Sequence, residues 1–286
     1  MSTTVAIAAA LPTPVPPTAV AARPTFLGIL RGEWTKLLSL RSTWWTLAAT
    51  VLLMTGVSLA VAASLDAVAA DPATAPELAA LSGAEVVSGG FQLGMLTIAV
   101  LGALLMTGEY STGMIRSTLA AVPTRVPVLA AKAAVVAVAT AIVGMLGIAL
   151  SYVATMPLLV ERDMVPALDE AHTWRVFSGT IYFLIAAALF ALGVGTLLRS
   201  SAGAITVVLS VLLLLPTVLV FITLDWVEAV VEYLPLPASG AFLGGGEDSL
   251  SAVGNGLAPA TGLLVVAAYA LLPLAAGAVT LRRRDA

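Results

Sequence analysis

Six long apolar runs dominate this sequence and restrict what it can fold into. A helix needs about 20 mostly apolar residues to cross the hydrocarbon core of a bilayer. Each run reaches that length: roughly 43–64, 87–107, 128–156, 178–198, 202–224 and 259–281. The chain is 60% apolar and only 10% charged, which is too few charges to cover the surface of a water-soluble domain. The sequence therefore predicts an all-α, polytopic membrane protein with six transmembrane helices.

The basic residues are distributed unevenly around the predicted spans. Eleven of the thirteen lie on one side, and thirteen of the sixteen acidic residues lie in the loops on the other side. Loops rich in lysine and arginine stay in the cytoplasm. We therefore expect a multi-pass protein of the cytoplasmic (inner) membrane with both termini in the cytoplasm.

Residues 1–24 are rich in alanine, proline and threonine. They contain no basic residue before Arg23, and prolines at positions 12, 14, 16 and 17 would break an apolar helix. We expect a disordered cytoplasmic tail, with a cleaved targeting segment as the alternative.

The stretch before the first span, TFLGILRGEWTKLLSLRST, places apolar residues at helical spacing with basic residues between them. Thr25 after Pro24 is a plausible N-cap. A basic amphipathic helix at 25–42 should lie along the inner leaflet. Two interpretations stay open at this point: a membrane anchor, or a surface on which a cytosolic protein docks.

The segment from Glu109 to Arg125 is compact and polar between two apolar runs. Gly113 allows a tight turn, Pro123 stops a long helix, and the residues between them can form about three helical turns. An uncompensated carboxylate at the membrane boundary is costly, so Glu109 should have a cationic or N–H partner. Arg116, Ser117 and Thr118 should remain available to another protein.

The same segment resembles the signature of ABC-2-type permeases, the membrane subunits of a large exporter family. The match runs over GEYSTGMIRSTL and the following Pro, Arg and Lys, and EWTKLLSLRSTWW is similar to the lead-in of actinobacterial members. The order Thr-Gly at 112–113 departs from the Gly-Thr of many relatives. By this resemblance, residues 25–286 form one six-span permease domain, and 109–125 is its coupling segment. The coupling residues are Glu109, Tyr110, Thr112, Gly113, Arg116, Thr118, Pro123 and Arg125; the interface-helix residues are Glu33, Trp34, Lys36 and Arg41.

The resemblance implies transport driven by a partner. Neither Lys36 nor Lys132 follows the G-x-x-x-x-G of a P-loop, so ATP and magnesium would be bound by a separate cytosolic ATPase subunit. The chain itself is expected to bind no cofactor and to be no enzyme. A permease homodimer or heterodimer in the lipid bilayer is implied, with no nucleic acid. One histidine and no cysteine leave little room for a metal site, and none is expected.

Two other functions remain open from the residues alone. A six-span scaffold could recruit a cytosolic partner without any transport, and a secondary transporter could use a broken helix at Pro216. The exporter would move a hydrophobic or amphiphilic cargo past Phe91, Gln92, Met95 and Phe221. Residues 225–258 would form an outer loop or re-entrant helices that close the pathway.

The orientation is directly testable because the chain contains no cysteine. A single cysteine at Ala167 should react with a membrane-impermeant maleimide on intact cells, whereas one at Ser2 should react only after permeabilisation. The reverse labelling pattern would contradict the orientation.

Overall fold

The computed structural model describes residues 25–70, 81–121, 125–244 and 256–283. The predicted tail 1–24 lies outside these residues, as does Pro123. The part of the chain that is described is all-α, with no strand. Its helices are α1 Phe26–Ser39, α2 Arg41–Ala70, α3 Gly83–Ser88, α4 Phe91–Ser111, α5 Met114–Ala121, α6 Arg125–Val160, α7 Ala171–Leu198, α8 Ser201–Leu219, α9 Asp225–Val231, α10 Pro235–Leu243 and α11 Pro259–Arg283.

Among the residues that the structure describes, six segments are long and apolar enough to cross a membrane, which confirms the predicted class. They are α2, α3 together with α4, α6, α7, α8 and α11. Large apolar side chains are exposed along them, including Val138, Ile142 and Val153 on α6. Exposed apolar surface of this extent is unfavourable in water but suits a helix that faces lipid. The chain is therefore a multi-pass membrane protein.

Contacts between helix ends place Arg199 and Arg125 at one end of the bundle, which we call the basic end. The guanidinium of Arg199, after α7, lies 5.1 Å from the ring centroid of Tyr110 at the end of α4. Arg125 at the start of α6 donates to the carbonyl of Leu281 near the end of α11, at 3.0 Å. We call the opposite end the acidic end; there Arg162 pairs with Asp66.

Helix α7 is the centre of the bundle. It packs against α4, α6, α8, α10 and α11, and two thirds of its most apolar stretch is buried. Its aromatic side chains meet neighbours edge to face, as in the Phe91–Phe183 pair at 5.7 Å and the Phe190–Tyr269 pair at 6.0 Å. This geometry is the one that aromatic quadrupoles favour.

Glycines allow the helices to approach closely. A Cβ at Gly90 would lie 2.1 Å from the carbonyl oxygen of Met54, and one at Gly94 would lie 2.8 Å from the Met54 side chain. The spacing of Gly90 and Gly94 therefore serves the packing of α2 against α4 within one chain. A Cβ at Gly102 would lie 2.3 Å from the carbonyl oxygen of Ala188, so α4 and α7 touch backbone to backbone.

The fifth span is interrupted where the sequence contains Pro216. The five residues Ser210–Leu214 form a π-turn between two α-helical parts, and Leu215 donates to the carbonyl of Ser210. Proline has no N–H for the helical ladder, and π-turns often occur at functional sites. The span ends at Leu219, earlier than the predicted 224.

The segment after the fifth span forms two short helices instead of an extended loop. Helix α10 is mostly buried, and it packs against α7 and α11. Pro235 at its first position is suited to a helix start. Whether α9 and α10 re-enter the membrane stays a prediction.

We expect Gly102→Ala to destabilise the protein by roughly 1–3 kcal/mol, because the added methyl group collides with the backbone of α7. Gly108→Ala, in the same helix, has no heavy atom within 4 Å of its new Cβ and should be neutral or stabilising. Thermal unfolding in detergent micelles measures both, and equal midpoints would show that α4 and α7 do not approach this closely.

Candidate functional site

Helix α1 begins where its sequence predicts but ends earlier. The Thr25 hydroxyl caps it by accepting from the backbone N–H of Gly28 at 3.2 Å, as predicted. The helix ends at Ser39, and Leu40 is extended. Arg41 is therefore the first residue of α2 and is exposed, so the predicted helix over 25–42 is in fact shorter and Arg41 does not belong to it.

The inward face of α1 is partly charged, which the amphipathic pattern alone did not indicate. Glu33 and Leu37 are buried, and Leu37 packs with Val135 and Ala139 of α6. Trp34 packs against the same cluster. Lys36 also turns toward the bundle, although the apolar periodicity predicted it on the outer face.

The α4–α5 connection depends on one glycine. Gly113 has a φ of 72°, a left-handed conformation that residues with a Cβ rarely adopt. It reverses the chain into α5, which has eight residues and thus about two turns, shorter than the three predicted. Ile115 of α5 is buried, whereas Met114 and Ser117 are exposed.

Four side chains from three helices meet at the basic end, and we call them the charge cluster: Glu33, Lys36, Glu109 and Lys132. The Lys132 Nζ lies 2.5 Å from Glu33 Oε2 and 2.9 Å from Glu109 Oε1. The Lys36 Nζ lies 2.8 Å from Glu33 Oε1 and 3.1 Å from Glu109 Oε1. Each ammonium group therefore bridges both carboxylates. The Lys36 Nζ also donates to Thr118 Oγ1 of α5 at 3.0 Å.

The charge cluster is electrically balanced, and three of its four side chains are buried, whereas the Lys36 side chain is 33% exposed. Glu33 and Glu109 are each 5% exposed and Lys132 is 3% exposed, and two positive charges meet two negative ones. An unpaired buried charge would be far more costly than a pair. The sequence indicated that Glu109 needs a partner; the structure supplies lysine ammonium groups and not backbone amides.

The neighbouring charges of the cluster shift the pKa values of Glu33 and Lys36. Burial alone would raise the pKa of the Glu33 carboxyl, but the ammonium groups of Lys132 and Lys36 outweigh it and hold that pKa below 4.5. Burial alone would lower the pKa of Lys36, but Glu33 and Glu109 raise it above 10.5. The Glu33 contribution to stability is thus present above about pH 4.5 and is lost as pH falls through the folded pKa. The Lys36 contribution is present below about pH 10.5 and is lost as pH rises through the folded pKa.

The charge cluster joins elements that are distant in sequence. It ties the surface helix α1 and the short helix α5 to the membrane-spanning helices α4 and α6. A recess of about 270 Å³ adjoins it, lined by members of the cluster and by apolar residues such as Leu104 and Val136. The Glu109 Oε2 is buried and has no hydrogen-bond partner among the described residues.

The other predicted coupling residues are placed around this site. Tyr110 lies under the Arg199 guanidinium, and the Thr112 hydroxyl donates to the carbonyl of Gly108 at 2.8 Å. Thr118 is directed at Lys36 and is therefore not free for another protein, contrary to expectation. Arg116 lies within α5, and its side chain is not among the described atoms.

The four residues predicted to line a transport pathway do not lie together in the structure. Phe91 and Gln92 line a cavity at the acidic end. Met95 is fully buried in the core, and Phe221 is 83% exposed. Neither of them lines that cavity.

Lys132 is the cluster member that the sequence reasoning left out of the site. It was only part of the family motif, although an ionisable residue within an apolar run is a functional signal in itself. The run AAKAAV around it predicts a buried lysine that needs acidic partners. Only the fold identifies those partners as Glu33 and Glu109.

Comparison with models of known protein families gives no match for this chain, and comparison with curated proteins gives none.

Removing one charge from the cluster should be costly. We expect Lys132→Met to destabilise the protein by roughly 3–5 kcal/mol, because it leaves two carboxylates buried beside one ammonium group. Adding Glu33→Gln should restore part of that loss by rebalancing the charge. Thermal unfolding and trypsin cleavage within α1 are the two measurements.

The matched control is the ion pair at the opposite end. Asp66 is 81% exposed where it meets Arg162, so Asp66→Asn should cost less than about 1 kcal/mol. If Glu33→Gln worsened the Lys132→Met variant, the two residues would not act as a charge pair.

Proposed function

We propose that this chain is the membrane-spanning permease subunit of an ATP-binding-cassette exporter of the ABC-2 type, driven by a separate cytosolic ATPase subunit. The observation that supports it most is the charge cluster. Four short polar contacts join different helices: they link the surface helix α1 to the spanning helices α4 and α6, α4 to α6, and α1 to the short connecting helix α5. A partner that displaces α1 or α5 would therefore displace α4 and α6 as well.

In this proposal α5 is the element that the ATPase contacts. Its inward side is occupied, since Ile115 is buried and Thr118 accepts from Lys36. Its outward side presents Met114, Ser117 and Ala120 to the surroundings. A short helix that packs against the bundle on one side and is exposed on the other can transmit a movement of the ATPase to the spanning helices better than a solvated loop would.

The remaining parts of the proposal follow from the charge distribution and the resemblance. The basic end faces the cytoplasm of the cytoplasmic membrane, in accordance with the positive-inside rule. The chain pairs with a second permease, identical or related, and the cargo is hydrophobic or amphiphilic. ATP and magnesium are bound by the ATPase subunit.

The test is a mild-detergent purification of the tagged chain from its native host, with ATP hydrolysis assayed on the eluate. We expect a P-loop ATPase to co-purify. Ser117→Glu, which places a charge on the outward side of α5, should abolish this co-purification while the permease itself stays folded.

Ser64→Glu is the matched control. Ser64 and Ser117 are both exposed helical serines whose hydroxyls donate to the carbonyl three residues earlier, at 2.9 Å and 2.8 Å. Ser64 lies at the acidic end, so its variant should retain the ATPase. If the wild-type chain purified without an ATPase, the exporter proposal would be overturned and a scaffold or a secondary transporter would be favoured.

A further inference from the structure

A cavity of about 400 Å³ lies at the acidic end. Its wall is built from α3, the start of α4, α7, the end of α8 and α10. This volume falls within the range of roughly 300–1,000 Å³ that small-molecule sites occupy. The cavity is remote from the charge cluster, because it lies where α4 begins and the cluster lies where α4 ends.

Two hydroxyl groups in the cavity wall are buried and have no hydrogen-bond partner among the described residues: those of Ser88, 4% exposed, and Thr180, 0% exposed. Several other buried threonines of the described residues donate their hydroxyls to a carbonyl of their own helix, although Thr140 also has no partner; Ser88 and Thr180 differ from Thr140 in lining the cavity. Thr196, also on α7, donates to the carbonyl of Leu192 at 2.8 Å. An unsatisfied buried hydroxyl costs roughly 1–3 kcal/mol, so these two are positioned for a partner that enters the cavity.

Two further polar side chains in the cavity wall can form hydrogen bonds with a ligand. Gln92 is exposed to the cavity and makes no hydrogen bond with the described residues. Glu85 is the one charged residue among those that line it. Its Oε2 accepts from the backbone N–H and the hydroxyl of Ser82, at 2.8 Å and 2.9 Å, and its Oε1 is not used in these contacts. A carboxylate without a cation in the wall disfavours an anionic ligand.

Most of the remaining wall is apolar, with Phe91, Val176, Leu236 and Leu243 among its residues. The hydroxyls of Thr217 and Ser239 also lie in the wall, and each donates to a carbonyl of its own segment. The interrupted helix α8 forms one side of the cavity, with Leu213 inside the π-turn and Pro216 two residues after it. Discontinuous spanning helices are where membrane transporters commonly place binding sites.

We propose that this cavity binds a small amphiphile whose polar group is an uncharged or positively charged hydrogen-bond donor, such as an alcohol or an amine. The polar group contacts Glu85, Ser88 and Thr180, and the hydrocarbon part lies against Phe91 and the α8 wall. Binding at this site is independent of the proposed function; only the further step of calling the ligand the exporter's cargo rests on it.

The probe for the test is a dodecylamine that contains a photoreactive diazirine in its alkyl chain. Its matched control is the dodecanoic acid with the same diazirine, equal in length and opposite in charge. The purified chain in lipid nanodiscs is irradiated with each, and the labelled peptides are mapped by mass spectrometry. We expect saturable labelling of cavity residues by the amine and several-fold less by the acid.

Ser88→Ala with Thr180→Val should lower the affinity for the amine about tenfold, since it removes two hydrogen-bonding groups. It should leave the thermal stability unchanged or higher, because it replaces unsatisfied hydroxyls by apolar atoms. Gln92→Leu should also weaken the labelling and provides a second variant at an exposed position. Thr196→Val is the control on the same helix and should leave the labelling unchanged.

Equal labelling by amine and acid, or labelling that the cavity variants do not alter, would overturn the proposal. So would labelling confined to the lipid-facing side of α6. The ATPase is absent from this experiment, so failure of the exporter proposal and failure of the cavity proposal give separate results.

Discussion

Two carboxylates and two ammonium groups, of which only that of Lys36 belongs to a partly exposed side chain, hold the helices together at the basic end of the bundle. Neither Glu33 nor Glu109 could remain buried without a cation, and Lys132 lies within an apolar helix where a lone charge is costly. Because each ammonium group bridges both carboxylates, the loss of one contact unbalances the others. This mutual dependence, together with the packing of Leu37 and Trp34 against α6, fixes the position of α1.

The close approach of the helices gives this arrangement a rigid support. Within the bilayer no hydrophobic force drives one apolar helix against another, so packing decides which helices meet. Gly102 brings the backbone of α4 onto that of α7, and Gly90 and Gly94 accept Met54 of α2. Helix α4 is thereby held on two sides along its length.

Helix α4 connects the two sites. Its 21 residues span about 30 Å at 1.5 Å per residue; Phe91 and Gln92 lie in the cavity at one end, and Glu109 lies in the charge cluster at the other. If α4 moves as a rigid body, a displacement of its end at the charge cluster also displaces its other end in the cavity wall. No series of side-chain contacts between the two sites is then needed. Leu213, within the π-turn of α8, lines the same cavity.

The membrane class, the six spans and the clustering of basic residues on one side follow from the sequence alone, because they depend on apolar run length and on local charge counts. The sequence also indicated that Glu109 needs a partner. Only the tertiary structure decided that Lys132 and Lys36 are those partners, since they are 23 and 73 residues away in the chain and local periodicity places Lys36 outward. Likewise, Met95 and Gln92 are near neighbours in sequence, yet one is core and the other lines the cavity. Helix packing, which depends on residues far apart in the chain, makes that difference.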